Sequence, residues 1–200
     1  MTGAGIPVGS LSPTLFLDIV LVAVVFLAAA SVVWFSIRTG ISPMPSSSKA
    51  CRAMLAAVAG APEGPVVDLG SGWGTLAIRC ARQYPGRLVV GYELSWVPWL
   101  VSVLLKHLLN LPNLSFHRQD FRCVELRPYA VLMCYLFQRG MQDLERKLDD
   151  EGWRPALIVS NTFALPSVRP HEVATLDDLY RTRIYVYRQA AVPRTGGTPA

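Results

Sequence analysis

Three carboxylates of the 200-residue chain lie where short apolar segments end. Asp68 closes the run VVDL, Glu93 closes RLVVGYE, and Asp120 follows the alternating segment NLSFH. If the three segments are parallel strands, their carboxyl ends lie at one edge of a sheet, where open α/β folds bind ligands. We therefore expect the three acids to converge on one ligand, with Asp68 placed to meet a cationic group.

A glycine-rich loop follows the first of these strands and opens a helix. Gly70, Gly72 and Gly74 in DLGSGWG allow a tight turn and a close approach of the backbone to a ligand. Thr75 stands where the dinucleotide fingerprint GxGxxG requires glycine, which favours a ligand without a pyrophosphate. Glu93 follows Gly70 at close to the roughly 20-residue spacing at which an acid binds ribose hydroxyls. Asp120 is then placed to accept from an adenine amino group.

The elements that position these residues alternate between strand and helix patterns. Strands are predicted at PVVDL, RLVVGYEL, NLSFH, AVLMCYLF, ALIVSNTF and TRIYVYRQ, and helices at WGTLAIRCARQY, residues 97–109 and MQDLERKL. Such alternation predicts βαβ units and an α/β fold with a Rossmann-like parallel sheet. The region before TRIYVYRQ has little helical periodicity, so we expect an antiparallel last strand pair and a reduced C-terminal half without a final helix.

The N-terminal region has the pattern of a membrane segment. Residues 19–37 contain no charged side chain, and all 19 Lys and Arg residues lie at or after Arg38. Nineteen helical residues span roughly 28 Å, close to the hydrocarbon thickness of a bilayer. We predict one transmembrane helix at residues 15–38, with the N-terminus outside and the following domain cytoplasmic. A buried core helix is the alternative.

The remaining boundaries follow from composition. Residues 1–14 form a short N-terminal segment, residues 39–60 a linker with a serine-capped helix, residues 61–190 one domain, and residues 191–200 a disordered tail. The net charge of +5 without a Lys/Arg cluster favours the bilayer as a partner over nucleic acid. The four cysteines form no CxxC pair, so no metal site is expected.

Three motifs, DLGSGWG, YELSW and RQDF, resemble motifs I, post-I and II of class I S-adenosylmethionine (SAM)-dependent methyltransferases. The chain also resembles a smaller group, the membrane-anchored lysine methyltransferase family of the adenine nucleotide translocase and ATP synthase c-subunit enzymes and their bacterial relatives. Three features carry this resemblance: the apolar helix followed by PMPSSS, the stretch YELSWVPWL, and the compact C-terminal end. The resemblance implies SAM as the cofactor, with Pro45 and Ser46 helping to cover it. The implied cofactor-binding residues are Asp68, Gly70, Ser71, Gly72, Gly74, Glu93, Leu94, Asp120 and Phe121.

The acceptor is less determined by these patterns. The resemblance favours a lysine amine of a membrane-associated protein, in a bacterial or mitochondrial inner membrane. The fourth strand ends as LMCYLFQRG, without the Asn/Asp-Pro-Pro-aromatic signature of many nucleic-acid and glutamine methyltransferases, and Trp73 stands where the family loop has a small or acidic residue. Tyr135, Gln138 and Asn161 are candidates for the substrate channel, with simple strand termination as the alternative. Methylation of a lipid or small molecule, or SAM binding without catalysis, are the other functions left open.

Overall fold

Seven short strands form a single sheet in the computed structural model, which describes residues 12–39 and 46–189. The strands are β1 (Val66–Leu69), β2 (Val89–Tyr92), β3 (Leu114–His117), β4 (Val131–Cys134), β5 (Leu157–Asn161), β6 (Glu172–Thr175) and β7 (Arg183–Arg188). Their spatial order is β3-β2-β1-β4-β5-β7-β6. The first five strands of that order pair in parallel, whereas β7 is antiparallel to β5 and β6.

Helices cover both faces of this sheet. They are α1 (Pro13–Thr39), α2 (Ser48–Ala59), α3 (Thr75–Gln83), α4 (Trp96–Leu108) and α5 (Gln138–Asp150), and a 3₁₀ turn covers Phe121–Cys123. Residues of α2, α3 and α4 pack with one side of the strands, and residues of α5 with the other. Every residue of β1, β2, β4 and β5 is buried, which explains why these strands read as continuous apolar runs rather than alternating patterns.

The C-terminal end confirms two predictions and adds a strand. The last strand pair is antiparallel, and no helix lies between β5 and β7 within the described chain. Strand β6 was not predicted, because EVAT at the sheet edge is mostly exposed and has no apolar pattern. It forms by pairing with β7, from Glu172 opposite Val186 to Thr175 opposite Arg183. A hairpin therefore completes the sheet in place of a helix.

The N-terminal region has two described helices. Helix α2 confirms the predicted serine-capped helix, since the Ser47 side chain accepts a hydrogen bond from the Ala50 N–H. Helix α1 covers the region of the predicted transmembrane segment, and it contacts α4. Among the residues that the structure describes, no helix has the combined length and apolar character of a membrane span. The tail 191–200 and most of segment 1–14 lie outside the described residues.

One detail of α5 differs from the sequence pattern. The segment DLERKLDDE has the pattern of a solvated helix face with pairs at a spacing of four, and Lys147 indeed pairs with Glu151 at 2.7 Å. Glu145, however, is buried, and its Oε1 accepts a hydrogen bond from the Ser167 N–H at 3.0 Å. The segment after β5 packs over this part of α5, which a local pattern does not reveal.

Candidate functional site

The carboxyl ends of the parallel strands surround a cavity of about 430 Å³. All but one of the nine cofactor-binding residues predicted from the sequence line it. These are Asp68, Gly70, Ser71, Gly72, Glu93, Leu94, Asp120 and Phe121. The ninth, Gly74, lies behind the loop as the N-cap of α3. The strand-end acids therefore converge as expected, because β1, β2 and β3 are adjacent and parallel.

The loop between β1 and α3 depends on left-handed backbone conformations. Gly72 has φ of 53° and Gly74 has φ of 78°, values that side-chain-bearing residues rarely adopt. A Cβ at Gly74 would lie 2.7 Å from Phe116 Cζ, whereas one at Gly72 would meet no atom within 4 Å. Gly74 thus allows α3 to approach β3, and Gly72 leaves open space beside the backbone. That open space is suited to a ligand.

Glu93 is fixed in orientation by the backbone around it. Its Oε2 accepts a hydrogen bond from the Gly72 N–H at 2.9 Å, and its Oε1 accepts one from the Ser95 N–H at 2.7 Å. A carboxylate has about four acceptor positions, so each oxygen keeps capacity for a further donor. The buried carboxylate is therefore oriented to accept from two neighbouring hydroxyl groups.

Asp68 is a buried acid with an unused acceptor. Burial raises its pKa to about 7, the backbone N–H of Ala77 acts in the opposite direction, and the charge of Glu93 raises the pKa further. The buried Oδ2 of Asp68 and Oγ of Ser71 have no hydrogen-bond partner among the described residues. Buried polar atoms are normally satisfied, so two such atoms in one cavity wall indicate a polar or cationic ligand.

Asp120 has partners that the sequence did not predict. Arg122 donates from Nε to Oδ1 at 3.0 Å and from Nη2 to Oδ2 at 2.6 Å, and the Arg122 backbone N–H also donates to Oδ1. The side-chain hydrogen bond from Arg122 is the main reason that the pKa of Asp120 is lowered. Both oxygens already accept a bond from this arginine, so any adenine amino group must use their remaining acceptor capacity or displace Arg122.

An aromatic cluster forms another part of the site. Tyr135 and Phe137 line the cavity, and both rings contact Phe163. Tyr135 stacks on Phe163 with ring centroids 6.5 Å apart, and Phe137 meets Phe163 edge-on at 5.2 Å. We call these three residues the ring cluster. Tyr135 and Phe137 give the cavity an apolar, aromatic wall beside the carboxyl end of β4, and Phe163 packs against their rings.

The other two substrate-channel candidates lie elsewhere. Gln138 is exposed at the start of α5 and does not line the cavity. Asn161 is buried, and its Nδ2 donates to Ser46 Oγ at 3.4 Å. Ser46 itself lines the cavity, in line with the covering role expected of it, whereas Pro45 lies outside the described residues. Asn161 thus contacts the segment before α2 rather than the cavity.

Several lining residues were not predicted from the sequence. They are Leu76, Ser95, Gln119, Arg122, Leu136, Phe137, Arg139, Gly140 and Asp143. Ser95 and Gln119 lie close in sequence to the predicted strand-end acids Glu93 and Asp120, so their position at the cavity could have been predicted in the same way. Those of α5 could not, because its sequence pattern does not show which end faces the cavity.

The fold and this cavity together define a domain of the SAM-dependent methyltransferase class. Among solved structures, an RNA methyltransferase from Salinibacter ruber with S-adenosyl-L-homocysteine is 23% identical, covering 72% of this chain and 93% of that chain with a TM-score of 0.64. The putative methyltransferase yhhF of Escherichia coli is 15% identical, covering 72% and 88% with a TM-score of 0.59. At these identities the likeness concerns the fold alone.

The chain belongs to the family of the ANTKMT methyltransferase domain, whose model matches residues 68–172. Adenine nucleotide translocase lysine N-methyltransferase of Mus musculus is 33% identical over 67% of this chain and 58% of its own length. The lysine N-methyltransferase of the ATP synthase c-subunit, also of Mus musculus, is 28% identical over 68% of this chain and 53% of its own length. The chain therefore spans little more than half the length of these relatives.

The cofactor of this class, SAM, fits the residues present. Its sulfonium and amino groups carry positive charge, and the unpartnered Oδ2 of buried Asp68 is an acceptor for such a group. The oriented carboxylate of Glu93 suits its two ribose hydroxyls. The open space at Gly72 lets the ligand approach the backbone.

Proposed function

We propose that this chain transfers a methyl group from SAM to the side-chain amine of a lysine on a membrane-associated protein. Family membership supports methyl transfer, and both curated relatives are lysine N-methyltransferases by name. The observation that carries the choice of an amine is that Tyr135 and Phe137 of the ring cluster line the cavity and contact Phe163. Aromatic faces attract cationic alkylamines and accommodate the apolar stem of lysine.

The chain's contribution to the reaction is alignment. SAM, when bound, supplies a methyl carried on a sulfonium sulfur, which serves as the leaving group as S-adenosylhomocysteine. Asp68, the glycine loop and Glu93 hold one reactant at the strand ends, and the ring cluster orients the acceptor nitrogen toward it. The nitrogen lone pair forms the new N–C bond as the S–C bond breaks. Holding two reactants in near-attack geometry supplies about 7 to 11 kcal/mol.

The acceptor must reach this geometry as a neutral amine. A lysine amine has a reference pKa of about 10.4, and desolvation lowers the pKa of a cationic group. The amine is desolvated as it enters the cavity, and its proton passes to water before the methyl is transferred. The nitrogen becomes positively charged again on methylation, and the aromatic faces then stabilise the product cation.

We also propose that α1 attaches the domain to a membrane, with the N-terminus outside and the domain on the cytoplasmic side. Large apolar side chains of α1, including Leu17, Leu21 and Phe26, are exposed to solvent in the described structure. The side on which the domain lies is supported by the position of every Lys and Arg at or after Arg38.

The function is tested by incubating the full-length protein with tritiated SAM and native membranes, then separating protein from lipid. We expect the label in protein, with methyl-lysine after hydrolysis, and no label with Glu93→Ala. Label in the lipid fraction would favour the lipid alternative. SAM binding without label in either fraction would favour a non-catalytic SAM-binding protein.

The orientation is tested by cysteine labelling in intact cells or sealed vesicles. A cysteine introduced at Ser10 should react with an impermeant thiol reagent added outside. The exposed Cys123 should react only after the membrane is opened. The reverse labelling pattern would contradict the proposed orientation.

A further inference from the structure

Helix α4 carries a row of exposed apolar side chains. Trp96, Leu100, Leu104 and Leu108 recur every four residues, which places them along one side of the helix. Their exposed fractions are 53%, 59%, 56% and 71%, although α1 contacts α4 and the opposite side of α4 packs on β3. We call these residues the α4 row. It is an apolar surface at the β3 edge of the sheet that the described chain leaves uncovered.

The helices on this side of the sheet share one sign of charge. Helices α2, α3 and α4 contain no Asp or Glu. Their basic residues are Lys49, Arg52, Arg79, Arg82 and Lys106. Helix α5 on the opposite face, in contrast, carries four acids together with three basic residues. The α4 row therefore lies on the side of the sheet whose helices carry basic residues and no acids, which we call the basic side.

An open groove adjoins the row and combines charge with apolar surface. Arg52, Arg79 and Arg82 line it together with Leu105 and Leu109, and its volume is about 580 Å³. The three arginines are exposed, and none forms an ion pair with an acid in the part of the chain that the structure describes. Guanidinium groups beside leucines match the phosphate and the upper acyl chain of an anionic lipid.

We propose that the α4 row and the arginine-lined groove form a membrane-contact surface, which lays the domain on a bilayer containing anionic lipids. Leu100, Leu104 and Leu108 enter the boundary between headgroups and acyl chains, and Trp96 lies at the headgroup level beneath the Arg118 guanidinium, 3.9 Å from its ring centroid. This surface belongs to the catalytic domain and is separate from the attachment by α1.

Two observations favour a bilayer over a protein partner as the occupant. Helix α1, which carries exposed apolar side chains, contacts α4, so the two helices lie close enough together to meet one membrane. The surrounding basic residues complement the negative potential of a leaflet that contains anionic lipid.

The contact has a consequence for access to the active site. Trp73 of the glycine loop and Thr75 at the start of α3 line both the groove and the cofactor cavity. Docking through the groove therefore holds the cavity close to the lipid headgroups. An acceptor amine at that level is within reach, whereas one far from the bilayer is not.

Spin labels on the full-length protein test this surface. In a Cys123→Ser background, which removes the exposed thiol, a nitroxide is attached at Leu104→Cys, at Asp150→Cys on the opposite face, or at Leu21→Cys on α1. The protein is reconstituted into vesicles of phosphatidylcholine with phosphatidylglycerol, or of phosphatidylcholine alone. Collisions with a water-soluble nickel complex and with oxygen then report whether each label lies in water or in lipid.

In the mixed vesicles, we expect the Leu104 label to lose nickel collisions and gain oxygen collisions, while the Asp150 label stays accessible to nickel. Phosphatidylcholine alone, or the triple change Arg52→Gln, Arg79→Gln and Arg82→Gln, should weaken the effect at Leu104. SAM affinity checks that each labelled protein is folded, and Leu100→Cys replaces Leu104→Cys if that variant fails.

Two results would overturn the proposal. In the first, the Leu104 label keeps its nickel accessibility in mixed vesicles while the Leu21 label is shielded. This result would mean that α1 contacts the membrane and the α4 row does not. If the Leu104 label is already shielded from both probes without vesicles, the α4 row is covered by protein. The Leu21 label thus separates failure of this surface from failure of the attachment by α1.

Discussion

At the residue scale, the site depends on carboxylates that differ in their surroundings. Glu93 is held by two backbone N–H groups, Asp120 by Arg122, and Asp68 has a buried oxygen without a partner among the described residues. The three acids therefore differ in how many hydrogen bonds or ion pairs they can still form with a ligand. Glu93 is oriented, Asp120 is largely occupied, and Asp68 gains most from a cationic partner.

Replacing Glu93 should weaken SAM binding strongly. Glu93→Ala removes the predicted acceptor of two ribose hydroxyls, and a hydrogen bond to a charged group contributes about 1.5 to 3 kcal/mol. Titration calorimetry measures the affinity, with Glu125→Ala as a control at an exposed position outside the cavity. An unchanged affinity in a folded Glu93→Ala protein would mean that the ribose binds elsewhere.

The affinity for SAM should rise with pH toward neutrality. The pKa of Asp68 is raised to about 7, so its neutral form dominates below that pH, and only the ionised form attracts a cation. Below about pH 7 each pH unit should cost up to about tenfold in affinity, and above it the profile should flatten. Dissociation constants across this range, compared with Asp68→Asn, measure the effect. A parallel slope in Asp68→Asn would assign the titration to another group.

The raised pKa of Asp68 also determines how the stability of the ligand-free domain changes with pH. The folded-state pKa of Asp68 lies above the usual value of 3.8, so folding favours the protonated acid. Its stabilising effect is complete below about pH 4 and is lost as the pH rises through about 7. Bound SAM should oppose this loss by stabilising the charged form.

At the element scale, α2 connects the N-terminal region to the sheet. The helix buries Met54, Leu55 and Val58 in the core shared with β1 and β4, and its N-terminus is capped by Ser47. The segment before it carries Ser46, which lines the cavity and contacts Asn161. The start of α2 therefore influences both packing and the cover of the cavity.

Removing the cap should destabilise the domain modestly. Ser47→Ala deletes the acceptor for the Ala50 N–H at 3.1 Å, and loss of such a cap costs about 1 kcal/mol. Chemical denaturation measures the free energy of unfolding. The neighbouring Ser48→Ala is the matched control, because it removes only an exposed hydrogen bond from Arg79. Equal effects of the two changes would contradict a capping role.

At the scale of the whole molecule, the proposed attachment of α1 to a membrane would restrict where the enzyme can act. From the end of α1 at Thr39 to the start of α2 at Ser48, the chain spans at most about 32 Å when fully extended. If α1 is attached to a membrane as proposed, an acceptor has to lie near that membrane. Contact of the α4 row with the membrane would further limit which acceptors the cavity can reach, because it fixes the orientation of the cavity.

Deleting residues 1–38 should separate cofactor binding from membrane action. SAM affinity should be unchanged, because no predicted cofactor residue lies in that segment. Methylation of the native membrane target should fall on the order of a hundredfold through the loss of effective concentration. Turnover is compared on membranes and on the detergent-solubilised target. Unchanged turnover on membranes by a folded truncated protein would contradict a role of α1 in presenting the acceptor.

Local features of this protein could be predicted from the order of its amino acids. Buried parallel strands appear as apolar runs, and the glycines and strand-end acids appear as fixed spacings, because both follow from backbone geometry within βαβ units. Asp68, Gly72 and Glu93 could therefore be predicted to meet at one cavity. The last antiparallel pair was also predictable, from the absence of helical periodicity before it.

The meeting of distant segments, in contrast, required the folded structure. The edge strand β6 exists because β7 pairs with it, and Glu145 is buried because the segment after β5 packs over α5. Tyr135 and Phe163 stack because β4 and β5 are neighbours, and Asn161 contacts Ser46 across 115 residues of sequence. These contacts depend on packing between elements, and no local periodicity records which surfaces the fold brings together.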